Sequence, residues 1–342
     1  VAALETSATA LDDVDDQTAV VYPIVLPDRL ELLVSHAGTI ARYTEPVAGA
    51  ELIDEVRALR RQLENRTTNE YLPHAQRLHR WLIAPYAENL VGAGVSTLVF
   101  VPDGALHGIP MGVLHDGQKF AVEEFSIAIT PGLSLLSPTP LDRERSTALL
   151  AGVSASQAGY DNLPNVPAEL SGIQSLFGGE VLLDEAFSAE VFKDRVVESQ
   201  PGIVHIASHA VFGGSAGGSF LLTHDGTLSI DELRGVVSES RFRRPLELLT
   251  LSACETAAGD DRAALGLSGT AIRAGARSAL GTLWTVSDAA SQQLIVEFYR
   301  QLAEAEVSKA QALQRAQTAL LKDARFGHPY YWSPYLLISN WL

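Results

Sequence analysis

Cysteine and methionine are almost absent from this chain: Cys254 and Met111 stand alone among 342 residues. A lone cysteine excludes an internal disulfide and any multi-cysteine metal cluster. A thiol with no partner in its own chain fits a reducing compartment, so a cytoplasmic location is expected. The sequence opens on Val1, and Met111 does not start what precedes it, so a processed form or a fragment is expected. Basic residues are scarce too, with 25 Lys and Arg against 41 Asp and Glu and a formal charge of -16. That balance excludes a general electrostatic grip on nucleic acid, which needs clustered cations. No apolar run approaches the roughly 18 residues of a membrane helix. Residues Val1–Thr18 have neither a basic start nor an apolar stretch, so they hold no signal peptide, and no membrane contact is expected. No Walker or dinucleotide fingerprint occurs, so no cofactor is expected. The acidic Asp12–Asp16 run lacks the ligand spacing and the glycine of a calcium loop, and no metal is expected there.

What is present is alternation. Val20–Leu26, Leu30–Ser35 and Thr39–Thr44 are short apolar runs that read as an antiparallel meander. Ala50–Asn65 carries Leu52, Ile53, Val56, Leu59 and Leu63 on one face and predicts an amphipathic helix, and Tyr71–Leu90 predicts a second. Thr97–Val101 is a buried strand, and Lys119–Ile129 reads as a strand pair. After Pro138–Arg145 four apolar runs recur: Ala148–Val153, Gly202–Ala207, Leu246–Leu251 and Ala279–Trp284. Helical stretches lie between and after them: Ala168–Phe177, Ser188–Ser199, Leu265–Arg277, Ser287–Ala303 and Ser308–Lys322. Gly178-Gly179 is the expected stop of the first, and Ser287 and Ser308 the expected caps of the last two. Continuous apolar strands alternating with helices predict an α/β fold with a mostly parallel sheet covered on both faces. Three divisions follow: 1–18 a linker or tail, 19–145 a smaller α/β half, and 146–342 a second half.

On such sheets ligands bind beyond the carboxyl ends of the strands. Gly202–Ala207 leads there into Ser208-His209-Ala210, and Leu246–Leu251 leads into Ser252-Ala253-Cys254-Glu255-Thr256. A thiol attacks a carbonyl as thiolate, and a neighbouring imidazole supplies that ionisation. Adjacent parallel strands lie about 4.8 Å apart, close enough to bring the two side chains together. A single cysteine is also commonly a small buried apolar residue. Spacing alone leaves these two readings even.

Two blocks tip the balance, Ile203-Val204-His205-Ile206-Ala207-Ser208-His209-Ala210 and Leu249-Thr250-Leu251-Ser252-Ala253-Cys254-Glu255-Thr256-Ala257. They resemble the active-site blocks of the CHAT family, caspase-like cysteine peptidases of the clan that also holds separase, legumain and the metacaspases. Further matches run in order through Leu98–Pro110, Gly275–Asp288 and His328–Tyr335. The resemblance implies a caspase-like sandwich and a cysteine endopeptidase that cleaves a protein or peptide substrate. It implies Cys254 as nucleophile and His209 as general base, with the backbone N–H groups of Cys254 and Ala210 receiving the developing oxyanion. It also implies an upstream tetratricopeptide-type repeat region or an activator that switches the enzyme on. Trp284, Asp288 and Glu255 are the expected substrate-binding residues, Asp288 favouring a basic side chain. Each has a plainer reading: a core aromatic, a residue of a helix first turn, and an exposed carboxylate. The competing reading of the whole is a catalytically silent binding or scaffold module.

His205 lies four residues before His209, on the same strand face; a buried, hydrogen-bonded core histidine is the expectation. Asp225-Gly226 is a hairpin turn signal, and Ser229–Glu232 reads as a capping box. The run Gly213–Ser219 reads as a natural mobile loop or as a designed linker. With the hairpin it is expected to form a flap beside the cleft.

Overall fold

The computed structural model describes residues 15–131, 138–143, 146–157, 159–212, 219–240, 245–252, 255–256, 272, 275–304 and 306–342. Cys254, Gly213–Gly218 and residues 265–271 and 273–274 of the expected helix Leu265–Arg277 lie outside them. The strands, in chain order, are β1 Thr18–Val25, β2 Leu30–His36, β3 Thr39–Glu45, β4 Thr97–Phe100, β5 Ser126–Ile129, β6 Ala148–Gly152 and β7 Glu180–Leu183. They continue with β8 Ile203–Ala207, β9 Ala210–Phe212, β10 Phe220–Thr223, β11 Gly226–Ser229, β12 Leu248–Leu251, β13 Glu255–Thr256, β14 Ser278–Thr282 and β15 Tyr335–Ser339. The helices are α1 Gly49–Leu63, α2 Tyr71–Leu82, α3 Ala84–Gly92, α4 Val166–Phe177, α5 Ala189–Ser199, α6 Ile230–Ser240, α7 Asp288–Leu302, α8 Lys309–Leu321 and α9 Pro329–Trp332.

Eleven strands form one sheet in the order β3-β2-β1-β4-β5-β15-β14-β12-β8-β6-β7. The meander β1–β3 is antiparallel, as expected, and β1 joins it to β4 in parallel. The strands of the second half run parallel from β14 through β12, β8 and β6 to β7. One strand that the sequence reading did not separate, β15, lies antiparallel to β14 and parallel to β5. It seals the seam between residues before and after 145 into a single sheet. Alternate residues of the central strands enter two cores. Leu150, Ile203, Leu248 and Leu280 pack with α4, α7 and α8, whereas Leu149, Val204, Leu249 and Ala279 pack with α5 and α6. Period-two alternation of apolar side chains on both faces is what a sheet covered on both sides requires.

Two expectations change. The stretch Tyr71–Leu90 is two helices, because Pro85 has no N–H to continue the ladder and its ring crowds the preceding turn; Ile83 leaves helical geometry at φ -126° and Pro85 lies in the first turn of α3. Lys119–Ile129 is one strand, β5, rather than a pair. Before it the Glu123 carboxylate accepts the Phe120 N–H at 2.8 Å and winds 121–123 into a 3-10 turn.

A second sheet of four strands, β11-β10-β9-β13, stands beside the carboxyl end of β8. Asp225-Gly226 closes the β10–β11 hairpin, and the Ser229–Glu232 box opens α6, with the Glu232 N–H on Ser229 Oγ at 3.2 Å and the Ser229 N–H on Glu232 Oε2 at 2.9 Å. No helix among the described residues is long and apolar enough to cross a membrane.

Candidate active site

His209 occupies the two-residue gap where the chain leaves the main sheet after β8 and enters the second sheet at β9. Leu222 of β10 pins that exit on both sides: Ser208 Oγ donates to the Leu222 carbonyl at 2.6 Å, and the Leu222 N–H donates to the His209 carbonyl at 2.8 Å. The imidazole is half-buried. The Tyr160 ring stacks on it, with centroids 5.0 Å apart and planes 29° from parallel. His209 Nε2 lies 2.8 Å from the Asp161 carbonyl oxygen. A carbonyl only accepts, so Nε2 carries the proton and Nδ1 is the ring nitrogen left with a lone pair.

The neighbouring strand β12 pairs in parallel with β8, Leu248 against Ile203 and Leu251 against Ile206. The Ser252 N–H continues this pairing onto the Ile206 carbonyl at 2.9 Å. Beyond it, Glu255 pairs with Val211 and Thr256 with Phe212 in the second sheet. The described residues before Ala253-Cys254 thus pair with the end of β8, and those after it pair with β9 beyond Ala210. Below this strand end, Ser291 Oγ donates to the Ser252 carbonyl at 2.9 Å and accepts from Tyr335 Oη at 2.9 Å.

The remaining expected site residues lie as follows. Ala210 opens β9 and is fully buried. Trp284 is buried, its indole N–H donates to the Tyr330 carbonyl at 3.0 Å, and the Arg60 guanidinium sits 4.7 Å over its ring. Arg60, on α1, also donates to the Leu283 carbonyl at 2.6 Å and to the Gly108 carbonyl at 2.8 Å, tying the first half of the chain to the end of β14. Asp288 is the first residue of α7, and its Oδ2 accepts the Asn165 backbone N–H at 2.9 Å and side-chain amide at 2.6 Å. Glu255 has a described backbone only, and Cys254 lies outside the described residues. His205 is a buried core histidine, with Nε2 2.9 Å from Glu169 Oε1. Tyr299 reaches the same strand layer through Thr250 Oγ1 at 2.8 Å, and burial pushes its phenol up.

Sequence reasoning missed Tyr160, Asp161 and Asp184. All three sit beyond the carboxyl ends of β6 and β7, the edge where ligands bind on such sheets. That rule is the one signal that pointed to them, since Asp161 acts through its backbone and no residue type marks a carbonyl.

No curated protein matches this sequence. Among solved structures, the chain is similar to separase in the Saccharomyces cerevisiae separase–securin complex, at 10% identity and a TM-score of 0.63, over 97% of this chain and 30% of that one. This chain therefore spans under a third of that separase chain. It is also similar to the Arg-specific cysteine proteinase gingipain R, at 10% identity and a TM-score of 0.52, over 85% of this chain and 74% of that one. A complex of the pro- and mature domains of Porphyromonas gingivalis RgpB gives a TM-score of 0.51 at 9% identity, over 85% of this chain and 75% of that one. These likenesses establish a caspase-like α/β fold. The CHAT domain pattern matches residues 72–340, most of the chain. The chain belongs to the CHAT-domain family.

Proposed function

We propose that this chain is a cysteine endopeptidase in which Cys254 and His209 form the catalytic dyad. The observation that supports the reading is the pairing of β12 with β8 and of β13 with β9, because Cys254 lies in sequence between β12 and β13 as His209 lies between β8 and β9. His209 Nδ1 takes the thiol proton, and the thiolate adds to the substrate carbonyl carbon. The tetrahedral oxyanion is received by the backbone N–H groups of Cys254 and Ala210. The imidazolium then gives its proton to the leaving amine, the C–N bond breaks, and a thioester remains. Water, deprotonated by His209, releases the acid and restores the thiol. The Asp161 carbonyl holds the imidazole in the tautomer that these steps need.

The substrate is a protein or peptide. Trp284 just beyond β14, Asp288 at the start of α7 and Glu255 at the start of β13 border the pocket for the side chain before the cleaved bond. Asp288, bonded to Asn165, together with the charge of -16 favours Lys or Arg there. A reducing, cytoplasmic setting keeps the thiol free. A repeat region upstream or an activator protein is the proposed regulator.

The test uses a peptidyl chloromethyl ketone ending in Arg. Wild-type protein is expected to label at Cys254, Cys254→Ala to lose the label, and His209→Ala to label at least about tenfold more slowly. Equal labelling of Cys254→Ala overturns the nucleophile assignment. Labelling of the wild type no faster than of free cysteine favours the silent binding module.

A further inference from the structure

His209 is held by a segment whose ends are fastened far from it in sequence. The segment lies between β6 and α4, and its described residues are 153–157 and 159–165. At its start the Asp184 carboxylate accepts the Ser154 N–H at 2.7 Å, the Ser154 hydroxyl at 2.7 Å and the Ala155 N–H at 3.2 Å. At its end Asn165 is fastened to Asp288 by two bonds to one oxygen. In the middle, the Gln157 amide donates to the Thr223 carbonyl of β10 at 2.7 Å. The tip is braced internally. The Tyr160 N–H donates to the Gln157 carbonyl at 2.9 Å, Ser156 Oγ to the Tyr160 carbonyl at 2.8 Å, and the Leu163 N–H to the Ser154 carbonyl at 2.9 Å. Gly159, at φ +85°, takes the left-handed turn that presents Tyr160 and Asp161 to the imidazole.

Asp184 is itself unusual. It is a non-glycine residue in the left-handed region, at φ +50°. Few L-residues adopt that conformation, and Asp and Asn do so because their short side chains bond locally. Here its backbone strain aims three acceptor bonds at the first residues of the segment. Bonds donated by Ser154 and Ala155 hold the carboxyl below its usual range against its partial burial, and His224 adds to this.

We propose that Asp184 is a positioning residue, and that the Asn165–Asp288 bonds are a second latch. Together they hold Tyr160 and Asp161 against His209 and so set the readiness of the dyad. Asp184 touches no substrate, and Asn165 acts through Asp288, which also borders the proposed pocket. Both act through the segment on the imidazole, so this inference rests on the dyad proposed above. A displacement of about 1 Å in such a group costs up to a hundredfold in rate.

The lone cysteine makes the test direct, because iodoacetamide alkylation reports Cys254 alone. Alkylation rates are measured across the pH range from 5 to 10 for the full chain. Asp184→Asn keeps tolerance of the left-handed backbone but loses the charge and one acceptor. Asn165→Ala removes one bond to Asp288 and leaves the Asp288 charge. Tyr160→Ala removes the stacked ring, and Tyr160→Phe restores it. Asp184→Asn, Asn165→Ala and Tyr160→Ala are expected to lower the rate at neutral pH by about tenfold or more, and to move the thiol midpoint toward that of His209→Ala. Tyr160→Phe is expected to match the wild type. A merely structural role lowers the melting temperature without moving this midpoint. Wild-type profiles for Asp184→Asn and Tyr160→Ala, alongside a shifted His209→Ala, overturn the latch and leave the dyad standing. A wild-type profile for His209→Ala overturns the dyad, and the latch with it. If Asp184→Asn fails to fold, the Tyr160→Ala and Tyr160→Phe pair decides.

Discussion

Lys309 is a buried cation, and its burial makes stability depend on pH in a way that one substitution exposes. It is the first residue of α8, with no exposed surface. Its ammonium donates to the Leu342 carbonyl. Burial pushes it down from 10.5 to about 7, with Arg277 and Arg143 acting in the same direction and Glu247 opposing them. Between those two values the unfolded chain holds a proton that the folded chain has released. Stability therefore rises with pH across the window, and below about pH 7 the folded protein bears the full cost of burying the charge. Each unit of pKa difference is worth about 1.4 kcal/mol. From about pH 7 to about pH 9 this one group contributes a gain of about 2 kcal/mol. Lys309→Met keeps the length of the side chain and removes the titration, giving up a hydrogen bond worth about 1 kcal/mol. Urea unfolding of both proteins at a series of pH values is the assay. The difference in unfolding free energy is expected to move by about 2 kcal/mol in favour of the wild type between those limits. Groups other than Lys309 titrate in both proteins and cancel. A difference that stays constant with pH refutes the reasoning.

Two further predictions rest on packing. Glu169→Ala leaves buried His205 without its acceptor and is expected to cost about 3 kcal/mol in urea unfolding, whereas Glu169→Gln keeps an acceptor oxygen and costs less. Gly178 and Gly179 both have positive φ, but only at Gly179 does an added Cβ meet the Ala148 carbonyl oxygen, at 1.8 Å. Gly179→Ala is expected to cost at least about 3 kcal/mol and Gly178→Ala about 1, and equal costs for the two would show that backbone conformation alone sets the penalty.

The chain shows how differently local and distant information are written. The strand-end placement of His209 was legible because a run of apolar residues ending at Ala207 marks its own boundary. The blocks around His209 and Cys254 also identified the CHAT family, by their order along the chain. Ser229 and Ser308 announced helix starts, since a cap needs only the residue and its near neighbours, whereas Ser287 stands before α7 without a side-chain cap bond. The split after Leu82 was equally local, and Pro85 is its cause.

Other features required the tertiary structure. That residues before and after 145 build one sheet depends on β15, which pairs with β14 on one side and β5 on the other. Strand partners are chosen by packing between distant segments, and periodicity carries no record of that choice. The hold on His209 was invisible for a second reason. A carbonyl oxygen at Asp161 is common to every residue type, and the acceptor bonds of Asp184 come from a turn beyond β7. The sequence by itself determined the alternation, the caps at Ser229 and Ser308, and the strand-end position of His209, because those are short-range patterns. Only the tertiary structure decided which loop closes over the histidine, because that contact joins segments whose residues say nothing of one another.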